Sequence, residues 1–146
     1  MDDLLLLARS VSTLHRNEQR YIGRIMHAKG LRTSGYLFVI YLSKQGKATQ
    51  RHLCRILNMD EALATRTVRQ LEKEGYLCKQ KNPNDKRAVF LQLTSKGKEL
   101  SSVLQKELSC FWGKATAQMS KDELESLFET LELLVKRTEE LHEPRT

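Results

Sequence analysis

The sequence predicts a mainly α (α+β) fold in which one short β-hairpin lies among helices. Its 146 residues include 24 leucines but nine aromatic residues, and two prolines, Pro83 and Pro144, leave long stretches free to form helices. Apolar residues recur at steps of three and four along most of the chain, and this period gives way to a strand-like pattern only at about residues 76–93. The length suits one compact chain.

The first helix is predicted over about residues 2–28, with Gly30 ending it. One stripe of this helix is apolar and consists of Leu4, Leu7, Val11, Leu14, Tyr21 and Ile25. The stripe is too long for a small domain to cover, so it indicates an interface.

Three shorter helices follow. The second is expected to begin at Thr33 as its N-cap and to run to Gly46, with the apolar stretch Tyr36–Leu42 as the most buried part of the domain. Thr49 is predicted to cap the third helix, whose apolar positions are Leu53, Cys54, Ile56 and Leu57.

The fourth helix is predicted to begin after Asp60, a good N-cap, and to end at Gly75. Its inner face is Ala64, Val68 and Leu71. The opposite face consists of Ala62, Leu63, Thr65, Arg66 and Arg69.

Two β-favouring runs, 76–81 and 88–93, are joined by a polar segment, 82–87, which predicts a hairpin with a charged tip. Thr94 or Ser95 is expected to cap a long fifth helix, and Ser120 with Glu123 forms a capping box for the sixth. Both carry apolar stripes: Leu100, Leu104, Leu108, Phe111 and Ala115 in the fifth, and Leu124, Leu127, Leu131, Leu134 and Leu141, with Thr138, in the sixth.

The positive charge is concentrated in one part of the chain. The net charge is +7 with a pI near 9.5, which favours a polyanionic partner. Residues 47–87 carry ten Lys or Arg against five Asp or Glu, whereas residues 120–146 carry four against eight. The basic segment coincides with the helices and hairpin described above, which form the order of a winged helix-turn-helix, so we expect it to contact double-stranded DNA.

The predicted DNA contacts follow from side-chain chemistry. Arg66 and Thr65 can hydrogen-bond to base edges in the major groove, and apolar groups such as Ala62 and Leu63 can contact thymine methyls. Arg69 lies on the same face and is expected to reach base edges as well. Arg51 and Arg55, on the preceding helix, are expected near the phosphate backbone. The alternative reading of these arginines is a solvated helix face, which the local concentration of charge disfavours.

The segment Asp85-Lys86-Arg87-Ala88-Val89-Phe90-Leu91-Gln92-Leu93-Thr94-Ser95-Lys96-Gly97 resembles the wing signature of the multiple-antibiotic-resistance regulator (MarR) family, D-x-R followed by a strand and L-T-x-x-G. Thr49-Gln50-x-x-Leu53, Ala64-Thr65-Arg66 and Leu71-Glu72-x-x-Gly75-Tyr76-Leu77 also match the helix-turn-helix of that family.

The resemblance implies a winged helix-turn-helix DNA-binding domain at 31–95, and a helical dimerisation region formed by 1–30 and 96–146 within the same compact chain. It implies that Arg87, beside Lys86, enters the minor groove while Asp85 orients its guanidinium. It further implies a two-fold dimer on a pseudo-palindromic operator, with half-sites about 34 Å apart. Ala62 and Leu63 depart from the small polar residues common in the family, so base preference there should depend on methyl contacts or be loose.

Family members commonly release DNA on binding a small aromatic or anionic effector. His15, Arg20 and Tyr36, together with Arg16, Tyr21 and Arg24, are candidates for such a cleft, although packing is the better explanation for the two tyrosines. Redox control is a further alternative: Cys54 should be buried and unreactive, and Cys110, beside Phe111 and Trp112, is the more plausible oxidisable thiol.

Other function classes fit less well. No phosphate-binding loop, Ser/His/Asp set, carboxylate pair or metal triad is visible, so we expect neither an enzyme nor a cofactor or metal. His52 and Cys54 have metal-ligand spacing, but nothing nearby completes a site. A non-specific architectural DNA-binding protein and a protein–protein module remain alternatives to a sequence-specific repressor.

We expect a soluble, cytoplasmic protein without a membrane partner. The longest apolar runs, Leu4–Ala8 and Leu37–Leu42, are far shorter than the roughly 20 residues that span a bilayer. The acidic N-terminus is unlike that of a signal peptide. Three cysteines, Cys54, Cys78 and Cys110, are widely spaced and do not indicate a disulfide framework.

Overall fold

The computed structural model describes residues 3–142. It contains six helices and three strands in this order: α1 (Asp3–Ala28), α2 (Gly35–Gln45), β1 (Lys47–Thr49), α3 (Gln50–Ile56), α4 (Glu61–Lys73), β2 (Leu77–Asn82), β3 (Asp85–Leu93), α5 (Ser95–Ala115) and α6 (Lys121–His142). This confirms the mainly α fold with a winged helix-turn-helix between two long helical ends. No helix in the described range is long and apolar enough to cross a membrane.

The chain divides into two compact units, one ending at Phe111 and the other beginning at Trp112. The first unit contains a continuous core to which α1, α2, α3, α4, α5 and the sheet all contribute. Ile22 and Met26 bring the second half of α1 into this core, and Leu100 and Leu104 bring in the first half of α5. The helix-turn-helix is therefore held from both sides by the helices that flank it.

The sheet has the strand order β1-β3-β2 and is antiparallel throughout. β1 was not predicted, because three residues are too few to show an alternating pattern, and it pairs with the far half of β3 through Ala48 and Leu91. The hairpin loop is also shorter than predicted. Asn82 pairs with Asp85, so only Pro83 and Asn84 form the tip, and Arg87 lies on β3 and not in a loop.

Most predicted helix ends are confirmed by their hydrogen bonds. Thr49 Oγ1 accepts from the backbone N–H of His52 at 3.1 Å, and Asp60 Oδ1 accepts from that of Leu63 at 3.0 Å. Thr94 Oγ1 accepts from the Gly97 N–H at 3.1 Å, which settles the choice of cap for α5. Ser120 and Glu123 form the predicted capping box, at 2.7 and 3.2 Å.

Two local predictions are wrong. Thr33 does not cap α2: its hydroxyl lies 3.1 Å from Nε2 of His27, and the helix begins at Gly35 after Ser34, which makes no side-chain cap. Ile56 is 46% exposed and does not belong to the apolar face of α3. That face is formed by Leu53 and Cys54, and at 100° per residue Ile56 lies nearly opposite Cys54 around the helix.

The second unit contains α6, none of whose residues is buried. Its large apolar side chains Phe128, Leu131, Leu133, Val135 and Leu141 are exposed, and so are those of the first half of α1, namely Leu4, Leu5, Leu6, Leu7, Val11 and Leu14. Soluble proteins rarely leave such long apolar stripes exposed to water, so within residues 3–142 these stripes are candidates for an interface.

Candidate nucleic-acid interface

Helix α4 has two faces of opposite character. Ala64, Thr67, Val68 and Leu71 are buried, and Thr67 was missed because a hydroxyl does not mark an apolar face. Its hydroxyl is nonetheless satisfied: it donates to the Leu63 carbonyl at 2.8 Å and lies 2.9 Å from Ser34 Oγ. The buried face fixes the orientation of the helix on the core.

The other face of α4 is open to solvent. Ala62, Arg66 and Arg69 are exposed, and Leu63 and Thr65 are half-buried, so the five predicted base-reading residues lie together on one accessible side. The Thr65 hydroxyl accepts a hydrogen bond from Gln50 Nε2 at 2.9 Å, which ties α4 to the start of α3. A hydroxyl that accepts can still donate, so Thr65 retains one bond for a base.

Helix α3 supplies two more exposed cations, Arg51 and Arg55. Both line a groove that also contains Thr49, Met59 and Glu61, at the junction of α3 and α4. The Arg55 guanidinium lies 3.3 Å from Nδ1 of His52, and Nε2 of the same ring lies 3.1 Å from the Tyr41 hydroxyl. The spacing of His52 to Cys54 suggested only a metal ligand, whereas the i,i+3 spacing of His52 to Arg55 is the sequence signal for this pair.

The wing carries Lys86 and Arg87 on the outer half of β3, and both are exposed. Asp85 Oδ1 accepts a hydrogen bond from the backbone N–H of Arg87 at 3.0 Å. In the free protein this carboxylate therefore fixes the backbone that carries Arg87, and its action on the guanidinium stays a prediction. At the tip, Asn82 Oδ1 accepts from the Asn84 N–H at 3.0 Å and tightens the turn.

The cations predicted to contact DNA form no ion pairs within residues 3–142. Within residues 3–142, the ion pair recorded joins Lys79 to Glu72, at 4.0 Å between exposed side chains. Six cations of the predicted interface have no carboxylate partner there: Arg51, Arg55, Arg66, Arg69, Lys86 and Arg87. Unpaired arginine and lysine side chains on one surface suit phosphate groups, which neutralise them on binding.

Gln70 links α4 to the end of α1. Its amide Nε2 donates to the Gly30 carbonyl at 3.1 Å, and its Oε1 accepts from the Arg32 backbone N–H at 2.7 Å. The polar loop between α1 and α2 is thereby fixed beside the last turns of α4. No sequence pattern predicts this contact, because the bonded residues are 38 to 40 positions apart in the chain.

The residues predicted for an effector cleft lie in different environments. His15 and Arg20 are exposed on α1, whereas Tyr36 is 1% exposed and its hydroxyl donates to Glu18 Oε1 at 2.7 Å. Burial and this hydrogen bond raise the pKa of Tyr36 far above its ordinary value. Tyr21 packs on α5, where its hydroxyl donates to Glu107 at 2.7 Å. The packing explanation therefore fits both tyrosines.

The three cysteines are free, with Cys54 buried, as the sequence led us to expect, Cys78 half-buried and Cys110 exposed. Burial raises the pKa of the Cys54 thiol, and the nearby Glu61 carboxylate adds to the rise, so this thiol is a poor nucleophile. Within the described range, no three His, Cys, Asp or Glu side chains are placed to hold a metal ion.

Comparison with known proteins gives consistent matches. Residues 36–89 match the model of the MarR family, a range that includes every predicted DNA contact. The HTH-type transcriptional regulator BilQ of Clostridium symbiosum (strain WAL-14163) is 32% identical over 120 residues, which are 80% of this chain and 81% of that protein. The transcriptional repressor MprA of Escherichia coli (strain K12) is 31% identical over 71% of this chain and 62% of its own length.

Two solved structures are similar over nearly the whole fold. A MarR transcriptional regulator from Methanosarcina mazei Go1 superposes with a TM-score of 0.86 at 24% identity, over 93% of this chain and 98% of that one. A MarR family regulator from Listeria monocytogenes, solved in complex with a 26-mer DNA, has a TM-score of 0.86 at 20% identity and covers 95% and 97%.

Proposed function

The chain belongs to the MarR family of transcriptional regulators, which are DNA-binding proteins and not enzymes, and on this premise we propose that it binds a specific pseudo-palindromic duplex as a homodimer. One observation carries the proposal: six exposed cations without carboxylate partners in the described chain lie on α3, α4 and β3, the elements that meet DNA in a winged helix.

In this proposal α4 lies in the major groove. Arg66 binds a guanine through two parallel hydrogen bonds, and Thr65 uses its remaining donor on a neighbouring base. Ala62 and Leu63 contact thymine methyls. Arg69 lies on the same face of α4 and is the second arginine available to base edges. Arg51 and Arg55 of α3 contact phosphates and fix the register of the helix without reading sequence.

The wing extends the same surface to the minor groove. Arg87 enters the groove, where a planar cation is attracted by the strong negative potential of narrow, A·T-rich segments, and Lys86 neutralises a flanking phosphate. Asp85 supports this arrangement through its 3.0 Å bond to the Arg87 backbone. Specificity at the wing would then depend on groove width more than on base edges.

Dimerisation is supported by the apolar stripes that nothing in the described chain buries. At 100° per residue, Leu4, Leu7, Val11 and Leu14 share one side of α1, whereas Arg9, Arg16, Arg20 and Arg24 lie on the opposite side. Pairing through the stripe would bury the leucines and leave the arginines in water. We therefore assign 1–30 and 96–146 to dimerisation and 31–95 to DNA binding, with α1 and α5 also completing the core of the latter.

Repression released by a small ligand is the proposed mode of regulation. The name of the Escherichia coli relative, a transcriptional repressor, supports the first half. For the second half, Arg20 and Arg24 line an open groove with His27 on α1, and His15 is exposed on the same helix, so an anionic compound is the effector class that fits. The side chain of Tyr36 is buried in the core and its hydroxyl is bonded to Glu18, so it is not expected to contact the ligand.

The decisive experiment recovers and sequences the fragments of the source genome that the purified protein binds. A shared inverted repeat, bound at least about a thousandfold more tightly than scrambled duplex at the same salt concentration, is the expected result. A specificity ratio near one would instead support the architectural DNA-binding alternative. An affinity that changes on oxidation but not in a Cys110→Ser variant would favour redox control.

A further inference from the structure

The imidazole of His52 lies between two side chains from different helices. Its Nε2 is 3.1 Å from the hydroxyl oxygen of Tyr41 on α2, and its Nδ1 is 3.3 Å from a guanidinium nitrogen of Arg55 on α3. The Tyr41 and His52 rings are 6.1 Å apart at their centroids. Tyr41 and His52 are half-buried, whereas Arg55 is exposed on the proposed DNA-contacting surface.

The chemistry of the three groups fixes the protonation of the ring. A guanidinium has five N–H donors and no acceptor, so Nδ1 of His52 must accept and cannot carry a hydrogen. A neutral imidazole then carries its hydrogen on Nε2, where it donates to the Tyr41 oxygen. Only this tautomer makes both contacts.

We propose that His52 is a positioning residue for Arg55, and that it holds the guanidinium ready for a DNA phosphate only while the imidazole is neutral. This inference rests on the proposed function. Protonation places a hydrogen on Nδ1, which removes the acceptor and sets an imidazolium against a guanidinium. Arg55 then loses its fixed orientation, and part of its contribution to DNA affinity is lost with it.

The other groups around His52 are mainly cationic. Lys47 of β1 lines the groove on the Tyr41 side and lies over the Phe90 ring. Arg51 of α3 and Glu61 of α4 line the groove on the Arg55 side, together with the Cys54 thiol. Histidine is the side chain whose charge ordinarily changes between about pH 5 and pH 8, which sets the pH range of the test.

The quantity to measure is a ratio of two dissociation constants for the same DNA duplex, that of Arg55→Ala divided by that of the unmodified protein. Both are measured by fluorescence anisotropy at fixed salt. This ratio isolates the contribution of Arg55 and cancels the charge of the other histidines. We expect a ratio of about five at about pH 8, which decreases towards one at about pH 5.5.

Two variants of His52 provide matched controls. In His52→Asn the amide oxygen occupies the place of Nδ1 and accepts from Arg55 without titrating, so the ratio, measured against His52→Asn/Arg55→Ala, should stay near five at both pH values. In His52→Gln the amide reaches the Nε2 place beside Tyr41 and offers Arg55 no acceptor, so the corresponding ratio should be well below five and equal at both pH values.

A ratio that is independent of pH in the unmodified protein, or equal behaviour of the Asn and Gln variants, would overturn the inference while leaving DNA binding intact. Absence of duplex binding in all variants would overturn the proposed function as well. Long-range proton–nitrogen NMR spectra of the imidazole provide a DNA-independent check, since a hydrogen on Nδ1 at about pH 8 contradicts the arrangement.

Discussion

At the scale of single residues, Arg87 is expected to make the main contribution of the wing to DNA affinity. Arg87→Ala should weaken duplex binding by about 1–3 kcal/mol, nearly independently of the major-groove sequence, because the lost contact lies in the other groove. Anisotropy titrations at fixed salt would measure this. Arg137→Ala, which removes the same charge from an exposed site on α6, is the matched control and should bind as the unmodified protein does. Equal affinities of the two variants would contradict the wing assignment.

Arg66 is expected to read a base. Arg66→Ala should weaken binding and relax the preference at one position of each half-site, which selection from random duplexes would detect. Arg66→Lys keeps the charge but loses the planar fork, so it should relax the same position with a smaller loss of affinity. An unchanged selected motif in both variants would show that Arg66 does not read sequence.

Residue-level predictions succeeded where the signal is local. The caps Thr49 and Asp60 act on backbone groups within three positions, so a sequence pattern reveals them. The bond of Gln70 to Gly30 joins α4 to the loop after α1, and the contact of Tyr41 with His52 joins α2 to α3, so no periodicity encodes them. For the same reason the sequence indicated which cations face outward but not which side chains hold them in place.

At the scale of elements, the long periodic helices were predicted almost to their ends, since each repeats its apolar pattern over several turns. The short β1 was missed because its pairing with β3 arises only once the chain is folded. The hairpin loop was overestimated because Asn82 and Asp85 have low strand propensity, and yet they pair. Tertiary pairing outweighed local preference at both places.

The junction between the hairpin and α5 depends on Gly97. A Cβ added there would fall 2.0 Å from the Tyr76 carbonyl oxygen, a backbone atom that cannot move aside alone. Gly97→Ala should therefore lower the free energy of unfolding by about 2 kcal/mol or more, measured by urea denaturation.

Gly113 provides the control for that prediction. It lies on the same helix, and a Cβ added there meets no atom within 4 Å. Gly113→Ala should leave stability unchanged or raise it by up to about 1 kcal/mol, because alanine favours the helix. If both variants unfold at the same urea concentration, the close approach of the Tyr76 carbonyl does not restrict position 97 to glycine.

At the scale of the whole molecule, the exposed stripes predict association. Sedimentation equilibrium should show a dimer at micromolar concentration, and Val11→Glu should shift it towards monomer because it places a charge in the apolar stripe. Ser12→Glu introduces the same charge about 100° away around α1 and should remain dimeric. A monomeric unmodified protein, or two variants that behave alike, would contradict the assignment of these stripes.

The base of the hairpin is joined to the start of α5 by three independent contacts. Besides the close approach at Gly97, Thr94 Oγ1 donates to the Gly75 carbonyl at 2.6 Å and Lys96 Nζ donates to the Glu74 carbonyl at 2.7 Å. From Ser95 to Phe111 the helix is about 24 Å long. A rotation of this segment by about 10° about its distal end would therefore displace its junction with the hairpin by about 4 Å, close to the rise of one base pair.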